Sequence, residues 1–357
     1  MIPVVKPELG PEEEEAVLSV LRSGQLAQGA RVAELEERFA AQIGAKHAVA
    51  SSSGTASLHL NLLALDIGPG DEVITSPFTF IASANAILYV GATPVFADIE
   101  PRTFNLDADK AAARITPRTR AILPVHLYGN PATMPAFRAL AARHGLQVVE
   151  DAAQAHGAAI DGQQVGTFGH GNFSFYPTKN MTSVEGGILT TADDAVADRV
   201  RTLRNHGQTE RYRHETLGYN LRMSDVHAAI GLVQLVKLAA YTERRQRNAR
   251  YLDHGLAGVV ETPYVQPGYA HVYHQYTIRI PDGRREAVAA ALHERGVGTA
   301  VHYPLPVHLQ PLYQQMGYRD SLPEAERAAR EVLCLPVHPG LSEQDLETIV
   351  REVRALC

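Results

Sequence analysis

The pattern of hydrophobic and polar positions along the chain switches repeatedly between a helical and an extended period. Apolar residues that recur every three or four positions predict helices, whereas short apolar or alternating runs bounded by turn residues predict strands. The predicted helices cover residues 11–21, 32–43, 54–65, 81–90, 108–115, 134–144, 195–204, 226–254, 284–295 and 342–356. The predicted strands cover residues 47–50, 72–75, 94–98, 121–128, 148–151, 172–179, 188–191, 276–280 and 299–303.

The order of these elements predicts an α/β fold. Strands that alternate with helices favour a large, mostly parallel sheet with helices on both faces. The run at 188–191 is expected to close this sheet in the reverse direction. Beyond about residue 264, a shorter set of elements is of the right size for a smaller C-terminal α/β domain. We therefore predict a large domain at residues 1–240 and a small domain at residues 241–357, linked by the long helix.

Two strand ends carry the residues of most chemical interest. The apolar run that begins at Val148 ends on the carboxylate of Asp151, and the aromatic-alternating run from Asn172 ends on the amine of Lys179. Ligand sites in open α/β sheets lie outside the carboxyl ends of the strands, so both groups are expected at one edge. Taken singly, each has a simpler explanation, because an isolated Lys is usually solvated and an Asp after a strand usually caps a turn or helix.

Together these groups suit pyridoxal phosphate, a cofactor that has an aldehyde, a basic ring nitrogen and a phosphate. The amine of Lys179 is the candidate to condense with the aldehyde, and a buried carboxylate such as Asp151 would keep the ring nitrogen protonated. Gln154 is a candidate partner for the ring hydroxyl, and the Ser174 hydroxyl is a candidate partner for a phosphate oxygen. The combination of residue types, rather than any one of them, indicates this cofactor.

The segments that carry these residues closely resemble the DegT/DnrJ/EryC1/StrS family of nucleotide-sugar aminotransferases. The resemblance rests on EDAAQAHG at 150–157, SFYPTKN at 174–180 and EGG at 185–187, and it extends over essentially the whole chain. It implies the aspartate-aminotransferase (type I) fold with pyridoxal phosphate as cofactor. It further implies transfer of an amino group from L-glutamate to a keto group of a nucleotide-linked sugar, by a homodimer with shared active sites.

The resemblance also assigns roles to matching positions. Gly54 and Thr55, at a helix start with free N–H groups, would hold the cofactor phosphate. Phe80 would stack on the pyridine face, although an aromatic beyond a strand end is otherwise a core residue. Asn220 would cross to the neighbouring subunit's phosphate, although its segment also fits an ordinary loop before a helix cap. The expected contacts to the sugar or its diphosphate are Arg222, His302 and Tyr303.

One position departs from the family pattern. The family usually has glycine before Glu-Gly-Gly, whereas this chain has Val184. If the backbone there has a positive φ, valine is strained. A differently shaped backbone just after Lys179 is the alternative, and it would affect inferences about the substrate more than those about the cofactor.

Composition and charge exclude several other classes of protein. The chain has 357 residues, of which 45% are hydrophobic and 20% charged, an ordinary globular balance. Its net charge of -6 argues against nucleic acid or an anionic membrane as the main partner. The two cysteines form no disulfide framework, and neither a signal peptide nor an apolar membrane span is predicted, which favours the cytoplasm. Sixteen histidines without HExxH or paired Cys/His spacing predict no metal site.

Two alternatives to sugar transamination stay open at this point. Family members with the same lysine also make aminocyclitols or an aromatic amine by coupled dehydration. A relative that had lost the chemistry would use the fold as a ligand sensor, although the presence of Lys179 argues against this. Within sugar transamination, residues 302–304, 207–208 and 212 most resemble those of enzymes that act on 3-keto UDP-sugars, and a 4-keto substrate is the alternative.

Overall fold

The computed structural model describes every residue from Met1 to Cys357 and contains twelve α-helices, fourteen strands and two short 3-10 turns. The helices are α1 (Pro11–Ser23), α2 (Ala30–Ile43), α3 (Gly54–Ala64), α4 (Ala82–Tyr89), α5 (Ala108–Ala112), α6 (Met134–His144), α7 (Asp194–Arg204), α8 (Asp225–Leu256), α9 (Arg285–Glu294), α10 (Pro311–Gln315), α11 (Pro323–Glu331) and α12 (Glu343–Leu356). The strands are β1 (His47–Ser51), β2 (Glu72–Thr75), β3 (Thr93–Phe96), β4 (Thr119–Leu123), β5 (Gln147–Asp151), β6 (Ala159–Ile160), β7 (Gln163–Gln164), β8 (His170–Ser174), β9 (Gly187–Thr191), β10 (Gln208–Glu210), β11 (Arg213–His214), β12 (Tyr269–Ala270), β13 (Tyr276–Arg279) and β14 (Val332–Leu335).

A seven-stranded sheet in the order β1-β9-β8-β5-β4-β2-β3 forms the centre of the large region. Strands β8, β5, β4, β2 and β3 are parallel neighbours, and β9 runs antiparallel to both β8 and β1. The predicted mostly parallel sheet, with a reversed strand at 188–191, is therefore confirmed. The parallel strands deliver their carboxyl ends to one edge, where side chains from different strands meet.

Helices cover both faces of this sheet. Along β4, Ala121 and Leu123 join a core cluster with α3 and α4, while Ile122 between them joins a cluster with α6 on the other side. The same alternation places Val149 of β5 on the first face and Val148 on the second. Because successive strand residues point to opposite faces, apolar runs of this kind require two helical layers.

A separate core cluster lies in the C-terminal region. It contains the antiparallel pair β13 and β14, with α9, α12 and the end of α8 packed around them. The helix α8 is 32 residues long and runs without interruption across the proposed boundary at 240/241, so that division remains a prediction. No helix in the chain combines the length and the apolarity that crossing a membrane requires.

Three predicted strands differ from the structure. The segment 299–303 forms only a single bridge, between Ala300 and Cys334, instead of a strand. The strand predicted at 121–128 ends at Leu123 because Pro124 follows it and has no N–H to donate to the ladder. The strand predicted at 172–179 ends at Ser174, since a turn in which Lys179 N–H donates to the Tyr176 carbonyl replaces its last part.

The short elements α10, α11 and β14 were not predicted. The segment from Val307 to Ala329 leaves the C-terminal region and packs on the core of the large sheet, with Tyr313 and Ala325 fully buried there. Neither α10, with five residues, nor α11, with nine, is long enough to show a clear helical period. The two regions of the chain are consequently interleaved rather than consecutive.

Candidate active site

The ends of two neighbouring parallel strands bring a carboxylate and an amine to the same edge of the sheet. Strands β5 and β8 pair in register, with Asp151 opposite Asn172. Asp151 is the last residue of β5 and is 5% exposed. Lys179 follows β8 after a short turn, and its amine lies close enough to Asp151 for the carboxylate charge to raise its pKa. The fold therefore brings Asp151 and Lys179 to the same edge of the sheet, as predicted.

The environment of Lys179 raises the fraction of the amine that is neutral. Burial lowers the pKa of Lys179 to about 8, and the Asp151 carboxylate opposes that shift. At pH 7.5 a pKa of 8 leaves about a quarter of the amine unprotonated, compared with well under about 1% at the ordinary value. The lysine is thus a competent nucleophile near neutral pH because the site removes it from water.

Backbone and side-chain donors fix the carboxylate of Asp151. The Ser83 hydroxyl donates to Oδ2 at 2.7 Å, and the Ala153 N–H donates to Oδ1 at 3.1 Å. Ser83 lies on α4, so it joins the helix that follows β2 to the end of β5. Two donors hold the carboxylate in one orientation at the strand end, where it faces the Lys179 side of the edge.

The start of α3 lies directly against Ser174. The side chain of Ser53 caps this helix by accepting from Ala56 N–H, which leaves the other first-turn N–H groups without intrahelical partners. A Cβ on Gly54 would come within 2.7 Å of Ser174 Cβ, so only glycine permits this approach. Free N–H groups beside a serine hydroxyl are the donors that a phosphate requires, and these residues therefore fit a phosphorylated cofactor.

Gln154 connects the Asp151 strand end to two tyrosines. Its Oε1 accepts from Tyr128 N–H at 2.6 Å, and its Nε2 donates to the Tyr303 hydroxyl at 3.1 Å. The Tyr128 hydroxyl in turn donates to the His302 carbonyl. Because Tyr303 OH accepts from Gln154, its own proton remains available to a ligand. Burial raises the pKa of Tyr303, which keeps that proton in place.

Phe80 differs from the other phenylalanines because it is 57% exposed, whereas Phe78 two residues earlier is fully buried. The Phe80 ring lies 6.2 Å from the ring of Tyr303, centroid to centroid. The alternative reading of Phe80 as a core residue is therefore wrong. An exposed ring next to the Gln154 and Tyr303 pair is suited to stacking on a planar ligand.

Three histidines around Lys179 are held in the neutral form. Burial, with the charge of Lys179 as a smaller cause, lowers the pKa of His156 to about 3 and that of His302 to about 4, and it also lowers the pKa of His274 far below its ordinary value. Cys334 Sγ donates to Gln275 Oε1, so Gln275 Nε2 is the donor to His302 Nε2 at 3.4 Å. The proton of His302 is therefore on Nδ1, which is buried and has no partner in the chain.

Val184 has a φ of 71°, in the left-handed region, and is 41% exposed. Its N–H donates to Thr182 Oγ1 at 2.9 Å, and Thr182 Oγ1 donates to the Phe175 carbonyl at 2.8 Å. The turn after Lys179 thus keeps the backbone shape that suits glycine. The β-branched valine is consequently strained, as the sequence suggested for a positive φ.

The segment with Asn220 and Arg222 runs beside the residues that precede α3, where the Leu221 carbonyl accepts from Ser52 N–H at 2.9 Å. Asn220 is exposed, its backbone bridges Asn205, and its side chain has no hydrogen bond. Arg222 Nη1 donates to Asn205 Oδ1 at 2.7 Å. The exposed hairpin formed by β10 and β11 projects from the same segment, with Tyr212 80% exposed at its tip. These residues are not brought to Lys179 within the chain.

Several residues at the site have no counterpart in the sequence analysis, namely Ser83, Tyr128, His274 and Asn172. The run N-F-S-F at 172–175 gave a usable signal, because a polar Asn in a strand predicted to be buried demands hydrogen-bond partners. For Ser83 and His274 no local pattern distinguishes them from ordinary helix and loop residues. Their positions result from tertiary packing alone.

Comparisons with known proteins agree with this geometry. The model of the DegT/DnrJ/EryC1/StrS aminotransferase family matches residues 7–354. A UDP-N-acetyl-3-dehydro-alpha-D-glucosamine 3-aminotransferase of Acidithiobacillus ferrooxidans is 46% identical over 323 residues, which cover 90% of this chain and 87% of that protein. A protein of Geobacillus stearothermophilus named as a pleiotropic regulatory protein is 44% identical over 353 residues, covering 97% of this chain and 94% of its own length.

A solved structure resembles the whole fold. The structure of DesV from S. venezuelae, in complex with a ketimine intermediate, superimposes with a TM-score of 0.95 at 42% sequence identity. The match covers 99% of this chain and 98% of that one. The α/β architecture described above is therefore the fold of that enzyme.

Proposed function

The chain belongs to the DegT/DnrJ/EryC1/StrS aminotransferase family, and on that premise we propose that it moves the amino group of L-glutamate to a keto group of a nucleotide-linked sugar, with pyridoxal phosphate as cofactor. Such a reaction supplies amino sugars, for example for surface polysaccharides, and would take place in the cytoplasm. The meeting of Lys179 and Asp151 beside the start of α3 is the observation that carries the proposal. The family membership makes the chain an aminotransferase, and the site geometry supports this cofactor.

Each part of the cofactor has a fitting residue. Gly54, Thr55 and Ser174 would hold the phosphate with N–H and hydroxyl donors, and Asp151 would face the ring nitrogen. Phe80, with its exposed ring, would cover one face of the pyridine. When bound, the cofactor supplies an aldehyde that accepts amines and a protonated ring that withdraws electrons from the reacting carbon.

Lys179 would have two tasks in this reaction. Its amine would hold the cofactor through the aldehyde. Once displaced by a substrate amine, Lys179 would serve as the base that carries a proton between the substrate carbon and the cofactor carbon. A pKa of about 8 suits a base that must accept and release a proton near neutrality.

The donors left free at the site suit a sugar with a diphosphate. His302 Nδ1–H and the Tyr303 O–H are available to donate hydrogen bonds to oxygens of a ligand, and Arg222 offers a guanidinium for phosphate. The similarity to an enzyme named for a 3-dehydro UDP-sugar supports a 3-keto substrate. A 4-keto sugar is the alternative to be compared in the same assay.

We further place the active site at the interface of a homodimer. Asn220 is exposed and unbonded in its own chain, and the hairpin next to it projects into solvent. Both observations support a role for this segment in the neighbouring subunit's site. Arg222 belongs to the same segment and would accompany it.

The experiment that tests the proposed function is a visible absorption spectrum of the purified protein before and after addition of L-glutamate. We expect the band of the bound cofactor to change to that of pyridoxamine phosphate, with one 2-oxoglutarate released per site. Subsequent addition of 3-keto or 4-keto nucleotide sugars, and separately of a keto-cyclitol, should restore the first spectrum only with the true acceptor. Lys179→Ala should abolish turnover, and full activity in that variant would refute the assignment of Lys179.

A regulatory role is a second candidate because one relative is named as a pleiotropic regulatory protein. The same spectrum separates the two functions. A protein that cannot take up the cofactor would favour the regulatory role, whereas glutamate-dependent conversion establishes transamination. Uptake of the cofactor without any response to glutamate would require another amino donor.

A further inference from the structure

Asn172 is a buried polar residue in the middle of the large sheet. It is 1% exposed, lies on β8 two residues before Ser174, and stands opposite Asp151 in the β5–β8 pairing. The α3 helix, whose first residue is Gly54, packs over this part of β8. Asn172 is thus adjacent to α3, β5 and β8, the three elements to which the proposed function assigns the phosphate, the ring nitrogen and the lysine.

The side chain of Asn172 bonds to all of these elements. Its Nδ2 donates to the Glu150 carbonyl of β5 at 3.2 Å and to the His170 carbonyl of β8 at 3.3 Å. Its Oδ1 accepts from Ser57 Oγ at 3.2 Å and from Asn61 Nδ2 at 3.3 Å, both on α3. Carbonyl oxygens only accept, so the Nδ2 group must face Glu150 and His170, and the orientation of the amide is determined.

We propose that Asn172 is a positioning residue that sets the spacing between the phosphate-binding start of α3, the Asp151 end of β5 and the Ser174–Lys179 end of β8. This inference rests on the proposed function, because it assigns the cofactor to these three elements. Asn172 itself would not touch the cofactor. It would act by holding Ser57, one turn into α3, and the Glu150 carbonyl, one residue before Asp151, at fixed distances from Ser174.

The burial of Asn172 supports a positioning role over simple packing. A residue that only filled space between a sheet and a helix would be apolar, because burying an amide costs free energy unless every bond is made. Asn172 makes four bonds, two toward strands and two toward a helix, so it specifies one relative placement of three elements. The side chain of an alanine or a leucine at this position would fill the space but would not fix the distance between α3 and the strands β5 and β8.

The test compares three alanine variants of buried residues as apo-protein. Asn172→Ala removes all four bonds, and Ser57→Ala removes only one bond to α3. Asn248→Ala is the matched control, because Asn248 is also fully buried but bonds only to the His338 carbonyl in the C-terminal region. For each variant we would measure the dissociation constant of pyridoxal phosphate by absorbance titration, and the melting temperature with and without the cofactor.

A positioning role predicts a loss of cofactor affinity that stability alone does not explain. We expect the dissociation constant to rise by about 30-fold in Asn172→Ala and by about threefold in Ser57→Ala, since one hydrogen bond contributes a factor of a few. The cofactor-induced rise in melting temperature should shrink in both. In Asn248→Ala the melting temperature should fall while the dissociation constant stays unchanged.

Three other outcomes are informative. An unchanged dissociation constant in both Asn172→Ala and Ser57→Ala would overturn the inference and leave the proposed function intact. If Asn172→Ala does not fold, Ser57→Ala decides, since it loses a single bond at a helix position that tolerates alanine. Failure of the wild-type protein to bind pyridoxal phosphate would instead refute the proposed function, so the two failures are distinguishable.

Discussion

The candidate site has an inner and an outer side, and they differ in how many of their polar side chains find hydrogen-bond partners within the chain. On the inner side, Asp151, Gln154 and Asn172 are buried and hydrogen-bonded to neighbouring elements. On the outer side, Asn220 and Tyr212 are exposed, and neither side chain bonds to a residue of the inner side. The polar groups of the inner side therefore find their partners within the folded chain. The outer side has polar and aromatic groups that are left to contact a second molecule.

This difference separates cofactor binding from substrate binding in physical terms. A group that must keep one geometry through many turnovers is best held by buried bonds that exclude water. Groups that admit and release a large substrate have to reach solvent. Substitutions on the inner side should therefore lower both stability and cofactor affinity, and substitutions on the outer side should lower activity without loss of stability.

The largest effect is expected at Asp151. Asp151→Asn should lower kcat by roughly a hundredfold, because a neutral amide cannot keep the ring nitrogen protonated through a charged hydrogen bond. The control is Asp98→Asn, since Asp98 is equally buried but caps α11 through the N–H groups of Glu324 and Ala325. That variant should lose stability and keep its kcat. Equal kcat values for the two variants would show that Asp151 has no special role.

The comparison is tested most directly by Asn220→Ala. With an exposed, unbonded side chain the variant should keep its free energy of unfolding within about 0.5 kcal/mol, while activity falls by about tenfold through a lost phosphate contact. Mixing it with Lys179→Ala should restore activity, because half of randomly formed dimers are mixed and each then contains one intact site. Recovery to about a quarter of the wild-type rate is expected for a twofold-symmetric dimer. A mixture no more active than the mean of its parents would mean that sites are not shared.

Acid should destabilise the protein through its buried histidines, among them His156 near Lys179. Burial lowers the pKa of His156 and of His271 to about 3 each, so the folded protein keeps both neutral while the unfolded chain protonates them below about 6.5. The unfolded state then binds more protons, and each histidine costs about 1 kcal/mol of stability per pH unit between pH 6.5 and 4. Urea unfolding of the apo-protein at several pH values should show a shallower slope for His156→Gln. The exposed His254→Gln variant should keep the wild-type slope; the same slope in both would contradict this account.

The smallest effect is expected at Val184, on the exposed turn after Lys179. Val184→Gly should stabilise the protein by up to about 1 kcal/mol, because relief of a left-handed valine outweighs the extra freedom of glycine in the unfolded chain. The exposed Val236 in the middle of α8 is the control, since Val236→Gly should be destabilising there. Both changes can be measured by chemical denaturation. A loss of stability in Val184→Gly would show that contacts of the isopropyl group compensate for its backbone.

Most of the central fold was predictable because its elements are long and regular. Strand β2 and helix α6 were predicted to the residue, and the reversed strand β9 was recognised from its position after Lys179. The predictions were wrong where a local feature overrode the pattern, as at Pro124, or where pairing partners were lacking, as at 299–303. The return of residues 307–329 to the large sheet has no local signal, because it depends on which apolar surface is left uncovered.

At the site, the sequence indicated which residues would face one another but not what would hold them. The meeting of Asp151 and Lys179 follows from the parallel order of β5 and β8, in agreement with the mostly parallel sheet that the sequence predicts. The bonds from Ser83 and from Asn172 join residues that are far apart in the chain, 68 and more than 100 positions respectively. Such partners become visible only when the layers are assembled. The roles of the cofactor and substrate residues remain predictions until the experiments above are made.

The position of β9 in the chain affects folding during synthesis on the ribosome. Strand β1, an edge strand at residues His47–Ser51, pairs only with β9 at Gly187–Thr191. At ordinary translation speeds of 5 to 20 residues per second, β1 would wait roughly 7 to 30 seconds for its partner. Throughout that interval an apolar strand edge is exposed, and the start of α3 next to it cannot meet Ser174 in its final place. A nascent chain stalled before residue 187 would therefore be a natural client for chaperones and a site of premature aggregation.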